Sequence, residues 1–149
     1  MMARMSSLVR RPATPDDAEA VAQLVIAYER SLYGETAYTQ DDLEVEWATI
    51  DLAHDTLVLT DGDELVAFGS LHDRGALWRT DAYVHPAHNG RGIGTELAVA
   101  LETTAGARGA RRIQSGVAEP DEAGSQLFAA LGYRPVRVFR EMRIELIGP

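Results

Sequence analysis

Three glycines at alternate positions, Gly90, Gly92 and Gly94, separate a β-rich run ending at Val84 from an apolar stripe at Ile93, Leu97, Leu101 and Ala105. Pro86 blocks continuation of the strand, and the spacing of the stripe marks one face of a helix. Strand, glycine loop and helix are therefore consecutive. Glycine reaches positive φ without penalty and leaves the backbone open to close approach. Amides gathered at the mouth of a helix, where N–H groups lack partners and the dipole is positive, suit an anion such as a diphosphate. The chain carries no carboxylate between Asp81 and Glu96, and Arg91 adds a positive charge. A tight turn with no ligand is the plainer alternative. The dinucleotide fingerprint fails, because Leu97 stands where its last glycine is required.

Composition removes other classes. All 14 basic residues are arginine, so a Gly-Lys-Ser/Thr phosphate loop, a Schiff base and a lysine base are impossible. Cysteine is absent, which removes disulfides, thiolate metal sites and a cysteine nucleophile. Residues 1–73 hold 4 Arg against 15 carboxylates (−11), and residues 74–149 hold 10 against 8 (+2), in keeping with the net charge of −9. The total speaks against a nucleic-acid partner. The asymmetry points to an anionic ligand for the second half and a cationic one for the first, unless the acids are simply a solvated surface.

The 149 residues suit one domain, 1–149. No run approaches the roughly 18–20 apolar residues of a membrane helix, and Met1 to Met5 lacks a signal-peptide core. A soluble, cytoplasmic protein without a membrane partner is the expectation. Thr14-Pro15-Asp16-Asp17 and Thr39-Gln40-Asp41-Asp42 are helix starts with a carboxylate three residues after the cap. The first helix carries Ala18, Val21, Leu24, Val25 and Tyr28, and the second Leu43, Trp47 and Ile50. Runs at 56–60, 65–71 and 76–84 predict an antiparallel meander, with Asp61-Gly62-Asp63 as a hairpin turn. A strand over 112–117 and a helix from Pro120 follow, with Ala123, Leu127, Phe128 and Leu131 inward. Residues 133–146 then read as two strands bent near Phe139. The order is βααβββαβαββ, a mixed α/β fold with the first short strand at 8–11.

The segment Asn89-Gly90-Arg91-Gly92-Ile93-Gly94 resembles the Arg/Gln-x-x-Gly-x-Gly/Ala loop of the GCN5-related N-acetyltransferases, and Val84-His85-Pro86 matches the preceding Val-x-Pro. Residues 121–133 are similar to the family's Asn-x-x-Ala-x-x-Leu-Tyr-x-x-Leu-Gly-Phe segment, matching at Leu127, Leu131 and Gly132 with Tyr133 for Phe. The resemblance covers about residues 8–147. It implies a central sheet with splayed strands, and acetyl-CoA as co-substrate of an N-acetyltransferase. The diphosphate would sit on Gly90, Arg91, Gly92, Ile93, Gly94 and Thr95, with Asn89 and Asp121 adjoining. The pantetheine arm would lie between the strand ending at Val84 and the strand near Ile113–Val117, where it pairs as an added strand. Backbone near Tyr83 and Val84 would polarise the thioester carbonyl. Asn89 replaces Arg or Gln, Asp121 replaces Asn, and Phe128 occupies the place of the tyrosine that protonates the leaving thiolate. A non-catalytic CoA-binding domain is therefore the alternative.

Without cysteine, direct attack by a primary amine of a small molecule or peptide is the expected route. Asp81 is the candidate base, with a surface pair to Arg79 as its plainer reading. Period-2 alternation puts Asp81 and Tyr83 on one face and Ala82 and Val84 on the other. Tyr83 and Tyr133 are the possible substitutes for the missing acid, or packing residues. His72 could face the acceptor. Glu29, Tyr33 and Glu35 are candidate acceptor contacts, since acids and aromatics suit a cationic amine, whereas Tyr28 fits the packed face of its helix. His85 and His88 lack a third ligand nearby, so no metal is expected. Pairing through the C-terminal strands would give a homodimer.

Overall fold

The computed structural model describes residues 8–139 and 144. Along the chain lie β1 (Leu8–Arg11), α1 (Ala18–Tyr33), α2 (Gln40–Trp47), α3 (Leu52–Asp55), β2 (Thr56–Asp61), β3 (Glu64–Arg74), β4 (Leu77–Val84), α4 (Ile93–Ala107), β5 (Arg112–Ser115) and α5 (Glu122–Ala130). The sheet runs β1-β2-β3-β4-β5 in space. Its first four strands are antiparallel neighbours, and β5 lies parallel to β4.

Local chemistry sets the helix ends. The Asp17 carboxylate accepts the Thr14 N–H at 2.8 Å and holds Arg11 at 2.7 Å, closing a short 3-10 turn before α1. The Arg11 hydrogen bond keeps the Asp17 carboxyl below the usual carboxylate range. At α2 the Thr39 hydroxyl accepts the Asp42 N–H while Asp42 accepts the Thr39 N–H at 2.9 Å, a reciprocal cap. Gly34, at φ 78°, ends α1 in the left-handed conformation.

The two faces of the sheet are covered separately. Val21, Leu24, Leu43 and Trp47 of α1 and α2 pack with Val58 and Phe68. Ile93, Leu97, Leu101 and Ala105 of α4 pack with Leu59, Val66, Leu71 and Trp78. Burying each such side chain stabilises by roughly 1.5–3 kcal/mol. Helix α4 sits close because Gly69 lies beneath it: a Cβ there would stand 2.7 Å from the Leu101 Cδ1.

Alternation on β4 follows the expectation. Ala82 and Val84 pack with the α4 layer, and Tyr83 packs with the α1 layer. The meander and the glycine-started helix are also as predicted. Three elements differ. The one-turn α3, capped by Asp51 accepting from the Ala53 N–H, has too short a pattern to read. Helix α5 starts after Asp121 rather than at Pro120, and Ala123 is exposed while Leu127, Phe128 and Leu131 are half-buried. No strand forms over 133–139, where Pro135 withholds a ladder donor. Of the rest of the expected C-terminal pair, only residue 144 is among the described residues, and it is not in a strand.

The feature that positions a site is the parting of β4 and β5. Their register runs from Leu77↔Arg112 to Thr80↔Ser115 and stops there. Residues 81–84 continue along β3, from Ser70↔Asp81 to Ala67↔Val84. At the parting the Ser115 hydroxyl donates to the Thr80 carbonyl at 3.3 Å.

Candidate active site

Two cavities open at this parting. The one on the α4 side, about 450 Å3, is walled by Asn89, Gly90, Gly92, Gly94, Thr95 and Phe128 among others. The one on the α1 side, about 440 Å3, has Glu29, Tyr33, Tyr38, Glu46, Asp81 and Tyr83 in its wall. Tyr28, Ala82, Gly116 and Val117 border both. A ligand threaded between β4 and residues 116–117 would therefore present its end from the first cavity to the second.

Three glycines and the start of α4 line one part of the α4-side cavity. Gly90 and Gly92 hold φ of 79° and 78°, a region that costs other residues roughly 1–2 kcal/mol. Gly92 is the N-cap of α4 and no side chain caps the helix. The amides of its first turn, including those of Gly94 and Thr95, so lack an intrahelical partner beside the cavity. Gly94 also lets α5 approach, since a Cβ there would lie 2.7 Å from the Leu127 Cδ1. Asn89, Gly90, Gly92, Ile93, Gly94, Thr95, Val84 and Asp121 border this cavity. Arg91 does not. Its guanidinium pairs with Asp61 at 3.4 Å and donates to the His88 Nδ1, while the His88 Nε2 meets Glu64 at 2.9 Å. The charge expected to face an anion instead ties the loop to the β2–β3 hairpin.

Asp121 is also engaged. One oxygen accepts the Gly124 N–H at 2.8 Å as the cap of α5, and the other accepts the Tyr28 O–H at 2.7 Å. The Tyr28 ring meets Tyr83 edge-on, with centroids 5.3 Å apart. Burial first, then Asp121, pushes the Tyr28 hydroxyl far above its ordinary value. Burial does the same to Tyr83, with Asp81 adding to it. Tyr133 borders neither cavity. Its ring packs on Phe128 at 4.8 Å, and burial and a hydrogen bond with Glu102 raise its hydroxyl. Gly132, at φ 92°, precedes it after α5, and Tyr133 reaches the α4-side cavity only through its contact with Phe128.

On the α1 side Asp81 lies 3.3 Å from the His72 Nε2 and 3.8 Å from the Arg79 Nε. His72 does not border the cavity; it steadies Asp81 from β3, with the Ser70 hydroxyl at 3.2 Å. Glu29 accepts the Thr36 hydroxyl at 3.1 Å. Tyr33 is exposed in the wall. Glu35 is exposed and outside the wall, so of the expected acceptor contacts Glu29 and Tyr33 come together and Glu35 and His72 do not. Sequence reading missed Glu46. Its one signal was adjacency to Trp47, whose burial sets the neighbouring side chain at the rim of the packed face. Among the described residues no group of three His, Asp or Glu side chains converges as a metal site would require.

Desolvation, and then repulsion from Asp81, raises the Glu46 carboxyl above its usual value, while His72 opposes this. A raised carboxyl favours the protonated fold, so its contribution is present at low pH and is lost as pH rises through the folded pKa. Glu46→Gln should therefore raise Tm at pH 7. The gain should be no more than about 2 °C, the scale of a part-exposed charge in a chain of this size. It should vanish below pH about 4, where the native carboxyl is neutral. Thermal melts at pH 4 and pH 7 test the sign.

The fold so described is a mixed α/β domain whose sheet parts beside a glycine-built helix start. The sequence pattern of the acetyltransferase (GNAT) family matches residues 18–133. The chain belongs to that family. It is 40% identical over 63 residues to phosphinothricin N-acetyltransferase of Streptomyces coelicolor, covering 42% of this chain and 37% of the relative. The chain thus spans little more than a third of that relative's length. A GCN5-related N-acetyltransferase from Sphaerobacter thermophilus superposes with a TM-score of 0.83 at 25% identity, over 88% of this chain and 44% of its own. A putative acetyltransferase from Salmonella typhimurium, solved with acetyl-CoA, superposes with a TM-score of 0.70 at 22% identity, over 86% and 80%.

Proposed function

We propose that this protein moves an acetyl group from acetyl-CoA to a primary amine by direct attack. The observation that carries the reading is the meeting of the two cavities at the unpaired edge of β4, beside open helix amides. Those amides, at Gly92, Gly94 and Thr95, would hold the diphosphate. The free edge of Ala82–Val84 would pair with the amides of the pantetheine arm and aim the thioester at the acidic cavity. Backbone near Tyr83 and Val84 would polarise its carbonyl, stabilising the oxyanion as it forms.

Glu29, Tyr33 and Tyr38 supply the charge and aromatic faces that hold an alkylammonium. Asp81 takes the proton from the attacking nitrogen. The nitrogen bonds the carbonyl carbon, the C–S bond breaks, and CoA leaves as thiolate. Phe128 has no proton to give, so the departing thiolate takes its proton from solvent. This reading puts the protein in the cytoplasm, where the donor is made.

Incubating the protein with acetyl-CoA and a panel of primary amines, and measuring free thiol, tests it. Amine-dependent thiol release is expected. If acetyl-CoA binds and no amine releases thiol, the CoA-binding reading that Phe128 favours takes its place.

A further inference from the structure

Tyr28 stands where the two cavities join, and both of its ends are fixed. Its hydroxyl donates to Asp121 at 2.7 Å, and Asp121 is itself fixed by the Gly124 N–H at 2.8 Å. Its ring edge abuts Tyr83 with centroids 5.3 Å apart. Tyr83 in turn is packed into the α1 layer. A tyrosine on a helix surface would ordinarily change rotamer freely. This one is held between α5 on one side and β4 on the other. A ring so held is a wall of fixed position, and it borders the α4-side and α1-side cavities alike.

We infer that Tyr28 sets the length of acyl chain the protein accepts, by closing the space into which an acyl group longer than acetyl would extend. The inference rests on the proposed threading of a CoA thioester between β4 and residues 116–117. An arm lying along Ala82 and Gly116–Val117 brings its thioester to the junction those residues share with Tyr28. A two-carbon acyl group ends there. A four-carbon group must displace the ring, which means breaking the Asp121 hydrogen bond, the Tyr83 contact, or both. The hydroxyl is as important as the ring in this arrangement, because it anchors the ring against rotation.

Calorimetric titration of CoA, acetyl-CoA and butyryl-CoA into the wild type, Tyr28→Phe and Tyr28→Ala tests this without needing the acceptor. Wild type should bind butyryl-CoA at least 10-fold more weakly than acetyl-CoA. Tyr28→Ala should bring the two within about 3-fold of each other, the ratio being read within that variant against its own CoA affinity. Tyr28→Phe keeps the ring and loses its anchor, so its discrimination should fall between the other two; this conservative change also serves if the alanine variant folds poorly. Equal binding of acetyl-CoA and butyryl-CoA by the wild type would overturn the inference. So would an unchanged ratio in both variants. If none of the three nucleotides binds the wild type, it is the threading itself that has failed, and that outcome is distinct.

Discussion

Gly92→Val is expected to weaken acetyl-CoA binding by about 100-fold or more, equivalent to ~2.7 kcal/mol. Gly92 holds φ 78° at the N-cap of α4. A β-branched residue in that conformation is a steric outlier, with a strain of roughly 1–2 kcal/mol. The variant has two ways out, and both damage the site. It can keep the conformation and project a branched side chain beside the amides of the first turn. Or it can relax the loop, after which those amides no longer converge. Hydrogen bonds from amides to a charged group contribute about 1.5–3 kcal/mol each, so losing one or two accounts for the expected effect. The fold should survive, because Ile93, Leu97 and Leu101 still anchor α4; the strain corresponds to a fall in Tm of no more than about 8 °C. Titration with acetyl-CoA and with acetylpantetheine, which lacks the diphosphate, separates the causes. The variant should bind acetylpantetheine within about 3-fold of wild type. Unchanged acetyl-CoA affinity would remove the helix start as the anion site.

What could be read in advance was chemistry that operates over a few residues. Thr14 with Asp17 and Thr39 with Asp42 close their caps within three positions, and the alternation that separates Asp81 and Tyr83 from Ala82 and Val84 is a property of any strand. The glycine loop was legible for the same reason. Contacts between distant segments were not. Arg91 looked like an anion ligand, but it pairs with Asp61, thirty positions earlier. Asp121 looked like a cofactor contact, yet it is also where Tyr28, 93 positions away, ends its hydrogen bond. Glu46 enters the acidic wall only because the fold brings α2 to the cavity that Asp81 and Tyr83 also line. Carboxylates of the first half, Glu29 and Glu46, do line the α1-side cavity, whereas the proposed anion site of the second half is main chain rather than arginine.

The second large effect concerns Asp81. Asp81→Asn should lower kcat for amine acetylation at pH 7 by about 100-fold or more, within the range of about 10²–10⁴ that a positioned base contributes. Acetyl-CoA affinity should not change, because the carboxylate lies on the opposite face of β4 from the glycine loop. Three roles for this group make different predictions. As a surface partner of Arg79, 3.8 Å away, it would be worth about 0–1 kcal/mol of stability and nothing in rate. As a purely electrostatic anchor for an ammonium, it would raise the amine KM and leave kcat alone. As the base it lowers kcat, and the deficit depends on pH in a calculable direction. An alkylamine with a pKa near that of lysine, about 10.4, is deprotonated in only about one molecule in 2,500 at pH 7, and in about one in nine at pH 9.5. The uncharged nucleophile therefore becomes some 300-fold more available without help from the protein, and the variant's deficit should shrink across that interval. Steady-state kinetics from pH 7 to 9.5 measure all three. A deficit confined to KM, or one that stays constant with pH, would take the proton-transfer role away from Asp81. Asp81→Glu supplies the remaining control: it restores the charge with one more methylene, so it should recover part of kcat if a carboxylate is what the reaction needs at this point on β4.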